Sequence, residues 1–144
     1  MFFSASILSN IRSPSCFIFV RILAEKNIDA FNGAQGRILY VLWQEDGVPI
    51  KIISEKSGLA ITSLTTMLER MEKNGLISRK TDEADKRKTL LFLTYKAKKL
   101  KEAYDSVSNE MGNIYYRDFT DKEILQFEEY LNRIRVNLEE WSDK

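Results

Sequence analysis

The 144 residues predict a mainly α-helical protein with one small antiparallel β-ribbon. Three observations carry that expectation. Between residues 58 and 94 an amphipathic helical pattern passes through Asn74-Gly75 into two short runs of strand-forming residues flanking a charged tip. Helical periodicity recurs on both sides of this stretch. The composition, 44% hydrophobic and 30% charged, is that of a chain with a real core rather than a disordered one, long enough for one compact unit or two small ones.

Residues 1–13 carry little periodic signal. Ser13-Pro14-Ser15 reads as a helix start, because proline is tolerated in a first turn. The helix then covers residues 16–27, where Phe17, Val20 and Leu23 or Ala24 share an apolar face that calls for a partner, such as a second chain. Asn32 caps the next helix, and Gln35 can reach back to it. Ile38, Leu39, Leu42 and Trp43 fall at core spacing before the pattern stops near Gly47. Val48-Pro49-Ile50 is an extended link that could lie beside the ribbon as an edge strand, where proline does no harm. Residues 51–57 form a short helix with Ile52 and Ile53 inward, and Gly58-Leu59 supplies the turn after it.

In the helix that follows, Leu64, Leu68 and Met71 recur at i, i+4 and i+7 and make one apolar stripe. Opposite them, at about 100° per residue, lie Thr62, Thr66, Arg70 and Lys73, with Ser63 on the flank. Gly75 closes the helix because glycine accepts the left-handed conformation of a helix end. Leu76-Ile77-Ser78-Arg79 leads into a tip holding Asp82, Glu83, Asp85, Lys86, Arg87 and Lys88, and residues 89–94 form the β-branched, aromatic and apolar return strand. Helix, glycine turn and second helix make a helix-turn-helix, and the ribbon makes it a winged one.

A long helix is expected over residues 95–117, its stripe of Leu100, Tyr104, Val107, Met111 and Ile114 stepping by four and three. Asp118-Phe119 interrupts it. Thr120 and Glu123 then form a capping box. The last helix carries Ile124, Phe127, Leu131, Ile134, Leu138 and Trp141 at the same spacing. These two stripes read as an antiparallel pair with surface left to bury. At about 1.5 Å per residue the final stripe spans roughly 30 Å, which points to a dimer interface.

Net charge is only +1, but it is unevenly placed. Residues 51–99 hold twelve lysines and arginines against six carboxylates, whereas residues 101–144 hold six against eleven. The basic excess thus falls on the slim polar helix and its ribbon, a pairing suited to a DNA major groove and the adjacent phosphates or minor groove. The absence of histidine excludes His-based triads and His-containing metal sites. A single cysteine cannot form an internal disulfide, which fits a reducing compartment. The apolar Met1-Phe2-Phe3 start is broken up by Arg12 and Arg21, so neither a signal peptide nor a membrane span is expected, and the chain reads as cytoplasmic. Asp82 and Asp85 sit on an exposed tip, and neither a phosphate-binding glycine loop nor a nucleophile–base pairing is present. No catalytic residue, metal site or cofactor is expected.

From about residue 32 to 141, and in part back to Cys16, the chain resembles the MarR family of transcriptional regulators (multiple-antibiotic-resistance type). Asp82-Glu83-Ala84-Asp85-Lys86-Arg87, followed by Leu93-Thr94, resembles the family's wing signature. Leu64-Thr65, with Leu68-Glu69-Arg70-Met71-Glu72-Lys73-Asn74-Gly75-Leu76-Ile77, resembles its recognition helix and exit. Ala60 stands where the family usually has a serine cap, Ala97 where a glycine is usual, and the first helix reads as short for the family. The resemblance implies a homodimer with interlocked N- and C-terminal helices and two winged domains on a pseudo-palindromic double-stranded DNA operator. It also implies repression relieved by a small-molecule effector, phenolic or otherwise anionic, or by an oxidant.

On that footing residues 31–99 are the expected DNA-binding domain, and residues 1–30 and 100–144 the helical dimerisation region. Thr62, Ser63, Thr65, Thr66, Arg70 and Lys73 are the DNA-contact candidates on the helix. On the tip, Arg87 would enter the minor groove or grip phosphate, Asp85 would brace the wing, and Lys86 and Lys88 would take phosphates. Lys51, Lys56 and Lys80 are secondary. Tyr40, Trp43, Tyr115 and Tyr116 could line a ligand pocket between the dimer helices and the winged domain, against the plainer reading of core aromatics. Cys16 could be a redox switch, against the plainer reading of a packing residue. The competing function is a winged helix that binds protein and not DNA.

Overall fold

A computed structural model describes residues 5–142; residues 1–4 and 143–144 of the expected dimerisation region lie outside the described residues. The chain divides into two compact units, one ending at Ser108 and the other beginning at Asn109.

The first unit opens with helix α1 (Ala5–Glu25) and helix α2 (Gly33–Gln44). The reading of a helix starting at 13–16 is thereby corrected: α1 runs straight through Pro14. Proline removes one i→i−4 bond. Here Asn10, Ile11 and Arg12 are exposed, so water can serve the freed carbonyl, and Ser15 Oγ donates to Ile11 O at 2.6 Å. On α1 Ile22 and Leu23 are buried, while Phe17 and Val20, of the face expected to call for a partner, are exposed in the single chain. At the start of α2 the expected capping box is present. Gln35 N–H donates to Asn32 Oδ1 at 2.9 Å, and Asn32 N–H donates to Gln35 Oε1 at 3.1 Å.

Strand β1 (Val48–Pro49), helix α3 (Ile50–Ser57) and helix α4 (Ile61–Lys73) follow, then strands β2 (Ile77–Thr81) and β3 (Thr89–Leu93). The sheet order is β1-β3-β2, antiparallel throughout, with Val48 opposite Leu91 and Ile77 opposite Leu93. The proline-bearing link is therefore an edge strand. Between α3 and α4, Gly58 turns the chain at φ 71°, and Ser54 Oγ ties the turn by donating to Leu59 O at 2.7 Å. The core collects Ile38, Leu39 and Leu42 from α2, Ile53 from α3, Leu64, Leu68 and Met71 from α4, and Leu76, Ile77, Leu91 and Leu93 from the ribbon. Removing each such side chain from water stabilises the fold by about 1.5–3 kcal/mol, which fixes α4 with its polar face outward.

The single helix expected over 95–117 is two, α5 (Tyr95–Lys99) and α6 (Lys101–Tyr115). At Leu100 the backbone flattens to ψ −10°. Leu100 N–H donates to the Ala97 carbonyl at 3.1 Å, an oxygen that also accepts from Trp43 Nε1 at 3.1 Å. The indole thus takes part of the acceptor capacity that an uninterrupted helix would use.

Helix α6 carries the chain into the second unit. There Asp118, at φ 66°, ends the turn after α6, and Thr120 and Glu123 form the expected capping box at the head of α7 (Asp121–Ser142). Tyr116 packs edge-on against Phe119 and Phe127 and donates its hydroxyl to Glu128 Oε1 at 2.9 Å. No residue of α7 is buried. Among the described residues no helix is long and apolar enough to cross a membrane.

Candidate nucleic-acid interface

Helix α4 buries Leu64, Leu68 and Met71 completely, so the opposite side must face solvent. Thr62, Ser63, Thr65, Thr66, Arg70 and Lys73 are all exposed there. The first turn holds no carboxylate, and the first acidic residue of the helix is Glu69, two turns on. Ala60, the cap residue, has extended geometry (φ −64°, ψ 142°) but no side chain able to accept from the first-turn N–H groups. The positive helix end therefore stays open to an external acceptor. Thr65 Oγ1 is occupied, donating to Ile61 O at 3.1 Å. Thr62, Ser63 and Thr66 make no side-chain hydrogen bond among the described residues.

The wing is built on its own backbone. Asp82 N–H donates to Lys88 O at 2.9 Å, Lys88 N–H to Asp85 O at 2.9 Å, and Ala84 N–H to Asp82 Oδ1 at 2.9 Å. Asp85 Oδ1 accepts from Arg87 N–H at 3.1 Å and from Arg87 Nε at 3.2 Å. The Arg87 side chain is nevertheless 92% exposed, braced at its base and free at its tip. Arg70, Lys73, Lys86 and Lys88 pair with no carboxylate among the described residues. Arg79, which the sequence reading left without a role, bonds Glu72 of α4 at 2.9 Å, joining the wing to the helix beside it.

The secondary lysines are engaged elsewhere. Lys56 pairs with Glu45 at 3.0 Å, Lys51 approaches Glu55 at 3.9 Å, and Lys80 Nζ lies 5.1 Å from the centroid of the Phe92 ring. The four aromatic ligand candidates fall in different units. Tyr40 and Trp43 both meet Tyr104, at 5.9 and 5.1 Å between ring centroids, while Tyr115 and Tyr116 belong to the second unit. Phe31 completes the first cluster, 6.0 Å from Tyr104. Burial, followed by the neighbouring Tyr40 and Asp105, pushes the Tyr104 phenol above its ordinary range. Tyr104 lies in plain view within an apolar stripe, and only its contact with Phe31, Tyr40 and Trp43, residues far earlier in the chain, marks it as the centre of a cluster. Cys16 is exposed, not packed. No group of three metal-ligating side chains occurs among the described residues.

Residues 31–89 match the model of the MarR family. The chain is 35% identical over 77 residues to the HTH-type transcriptional regulator TtmR of Methylorubrum extorquens (strain PA1), covering 54% of this chain and 40% of that protein. It is 42% identical over 64 residues to the organic hydroperoxide resistance transcriptional regulator of Bacillus subtilis (strain 168), covering 44% of each. The matched stretch thus spans about two fifths of the length of these relatives. Among solved structures, a MarR-family transcriptional regulator from Listeria monocytogenes, complexed with 26mer DNA, superposes with a TM-score of 0.83 at 20% identity, over 96% of this chain and 90% of that one. That likeness is one of fold.

Proposed function

We propose that the chain, whose residues 31–89 match the MarR family model, is a MarR-type, sequence-specific double-stranded DNA-binding transcriptional regulator. It acts as a homodimer on a pseudo-palindromic operator, in the cytoplasm, as a repressor answering a small-molecule or oxidative signal, and it is not an enzyme. Residues 31–99 form the DNA-binding domain, and the helices of 1–30 and 100–144 dimerise. One observation carries the reading above the others. The exposed face of α4 is hydroxyl-rich, free of carboxylates through its first two turns and open at its positive end, and it is accompanied by a wing tip on which Lys86 and Lys88 pair with no carboxylate among the described residues and Arg87, braced by Asp85, is 92% exposed. The relatives named above are transcriptional regulators, and the Listeria neighbour is complexed with DNA.

Each side chain has a task in this reading. Thr62, Ser63 and Thr66 reach base edges or phosphates, Thr65 contributes at the flank, and Arg70 contacts base or backbone. Lys73, Lys86 and Lys88 neutralise phosphates, and Arg87, braced by Asp85, enters the minor groove or grips phosphate. Selection from a random duplex pool, followed by a gel shift with the recovered sequence, tests it. The expected result is enrichment of an inverted repeat and a loss of about tenfold or more in affinity for Arg70→Ala. Failure to enrich any sequence would leave a winged helix that does not read DNA.

A further inference from the structure

We propose that Asp46 is the positioning residue of the wing, its carboxylate pinning the base of β3 so that Lys86, Arg87 and Lys88 are held at one angle to the helix-turn-helix. The inference rests on the DNA-binding reading above. Strand β1 is only two residues long and pairs with β3 only at Leu90 and Leu91. Gly47 N–H, just before it, donates to Leu91 O at 3.0 Å. Two residues along β3, the Leu93 N–H points to the same edge, as strand geometry requires, but no strand residue lies opposite it. Asp46 Oδ1 accepts that N–H at 2.8 Å. The carboxylate therefore takes the place of a strand residue that β1 is too short to supply.

The surroundings make this contact specific. Leu93 is buried, so its N–H without a partner would be costly. Asp46 makes no ion pair among the described residues, and this backbone bond is the contact its carboxylate serves. Next to it Gly47 sits at φ 70°, and a Cβ there would lie 2.6 Å from the Phe92 ring, so only glycine lets the corner close on β3. The end of α2 also holds the exit of the wing through Trp43 Nε1 and Ala97 O. Leu91, Leu93 and Ala97 are thus gripped in succession from one helix end, and of these three grips the one from Asp46 is made by a charged side chain.

A cycle of variants tests the idea on a duplex that the unaltered protein recovers from a random pool of about 30 base pairs. Asp46→Ala is expected to weaken binding about tenfold. In a Lys86→Ala/Arg87→Ala background the same change should cost less than about twofold, because the wing it positions no longer contributes. Asp46→Asn, whose amide oxygen can still accept, should restore most of the affinity and keep the Leu93 amide slow to exchange, while Asp46→Ala exchanges fast. Equal losses from Asp46→Ala in both backgrounds, or an Asp46→Asn protein as weak as Asp46→Ala, would overturn the inference alone. Recovery of no duplex by the unaltered protein would overturn the DNA-binding reading and this inference with it.

Discussion

Arg87 leaves its guanidinium almost wholly in water, fixed only through Nε and its own N–H to Asp85 Oδ1. Two roles for Asp85 make opposite forecasts. As a bare negative charge beside DNA it repels phosphate, and its removal should strengthen binding. As a brace it limits the rotamers Arg87 must give up on contact, and its removal should weaken binding. The geometry favours the brace, so Asp85→Ala is expected to lower affinity. Arg87→Ala should lower it too and also reduce the slope of log affinity against log salt by about one. Titrations at several salt concentrations read both, and tighter binding by Asp85→Ala would refute the brace. Tyr104 gives a second test at this scale. Its phenol is raised by burial and then by Tyr40 and Asp105, so the folded state favours the neutral form. The resulting stabilisation is fully present below the ordinary phenol value of about 10 and is lost as pH rises through the elevated one. An alkaline titration followed by tyrosinate absorbance should therefore show a late component that disappears in Tyr104→Phe. Tyr116, raised by burial and by its bond to Glu128, should account for another.

Among the elements, α4 combines a completely buried stripe with an unfilled cap. Ala60 already has the extended backbone of a capping residue, and a serine there could accept from the N–H groups of the first turn without moving the chain. Ala60→Ser should stabilise the protein by about 1 kcal/mol and raise its melting temperature by a few degrees, measured by thermal unfolding. An unchanged midpoint would mean that the first turn is satisfied in another way. The missing cap was legible because cap and partner lie within three residues. The boxes at Asn32–Gln35 and Thr120–Glu123 were legible for the same reason. Elements that depend on distant partners were not. Pro14 reads locally as a helix start, yet α1 continues through it, since nothing local reveals that the freed carbonyl lies in water. The break at Leu100 involves an indole that reaches Ala97 from 54 residues earlier, and the anchoring of Leu93 by Asp46 crosses 47. Candidate DNA contacts were easy to place on the exposed side of α4 because helical periodicity sorts faces. The cluster around Tyr104 was hidden because an aromatic at core spacing looks like any other core residue.

For the whole molecule, the second unit poses the question that the first does not answer. Helix α7 buries none of its residues, yet it carries an apolar stripe with Phe127 at 43%, Leu131 at 42%, Ile134 at 42% and Leu138 at 64% exposure, ending on Trp141 at 77%. Scattered apolar residues on a surface need no explanation, but a continuous stripe along most of a 22-residue helix does. Burying each of these side chains would contribute about 1.5–3 kcal/mol, enough in sum to offset the loss of free motion on pairing. The proposed homodimer supplies that cover from a second copy of the same stripe. Leu131→Asp with Leu138→Asp isolates the association step, because both positions are exposed in the single chain and a charge there should leave its helicity intact. Sedimentation of the unaltered protein is expected to give twice 16.8 kDa, and the double variant 16.8 kDa with an unchanged circular dichroism spectrum. On an inverted repeat the variant should lose the advantage of two linked half-sites, while its weak binding to one half-site persists. A monomeric unaltered protein that still prefers the full repeat would show that the two winged domains meet only on DNA. A double variant that stays dimeric would place the contact away from this stripe.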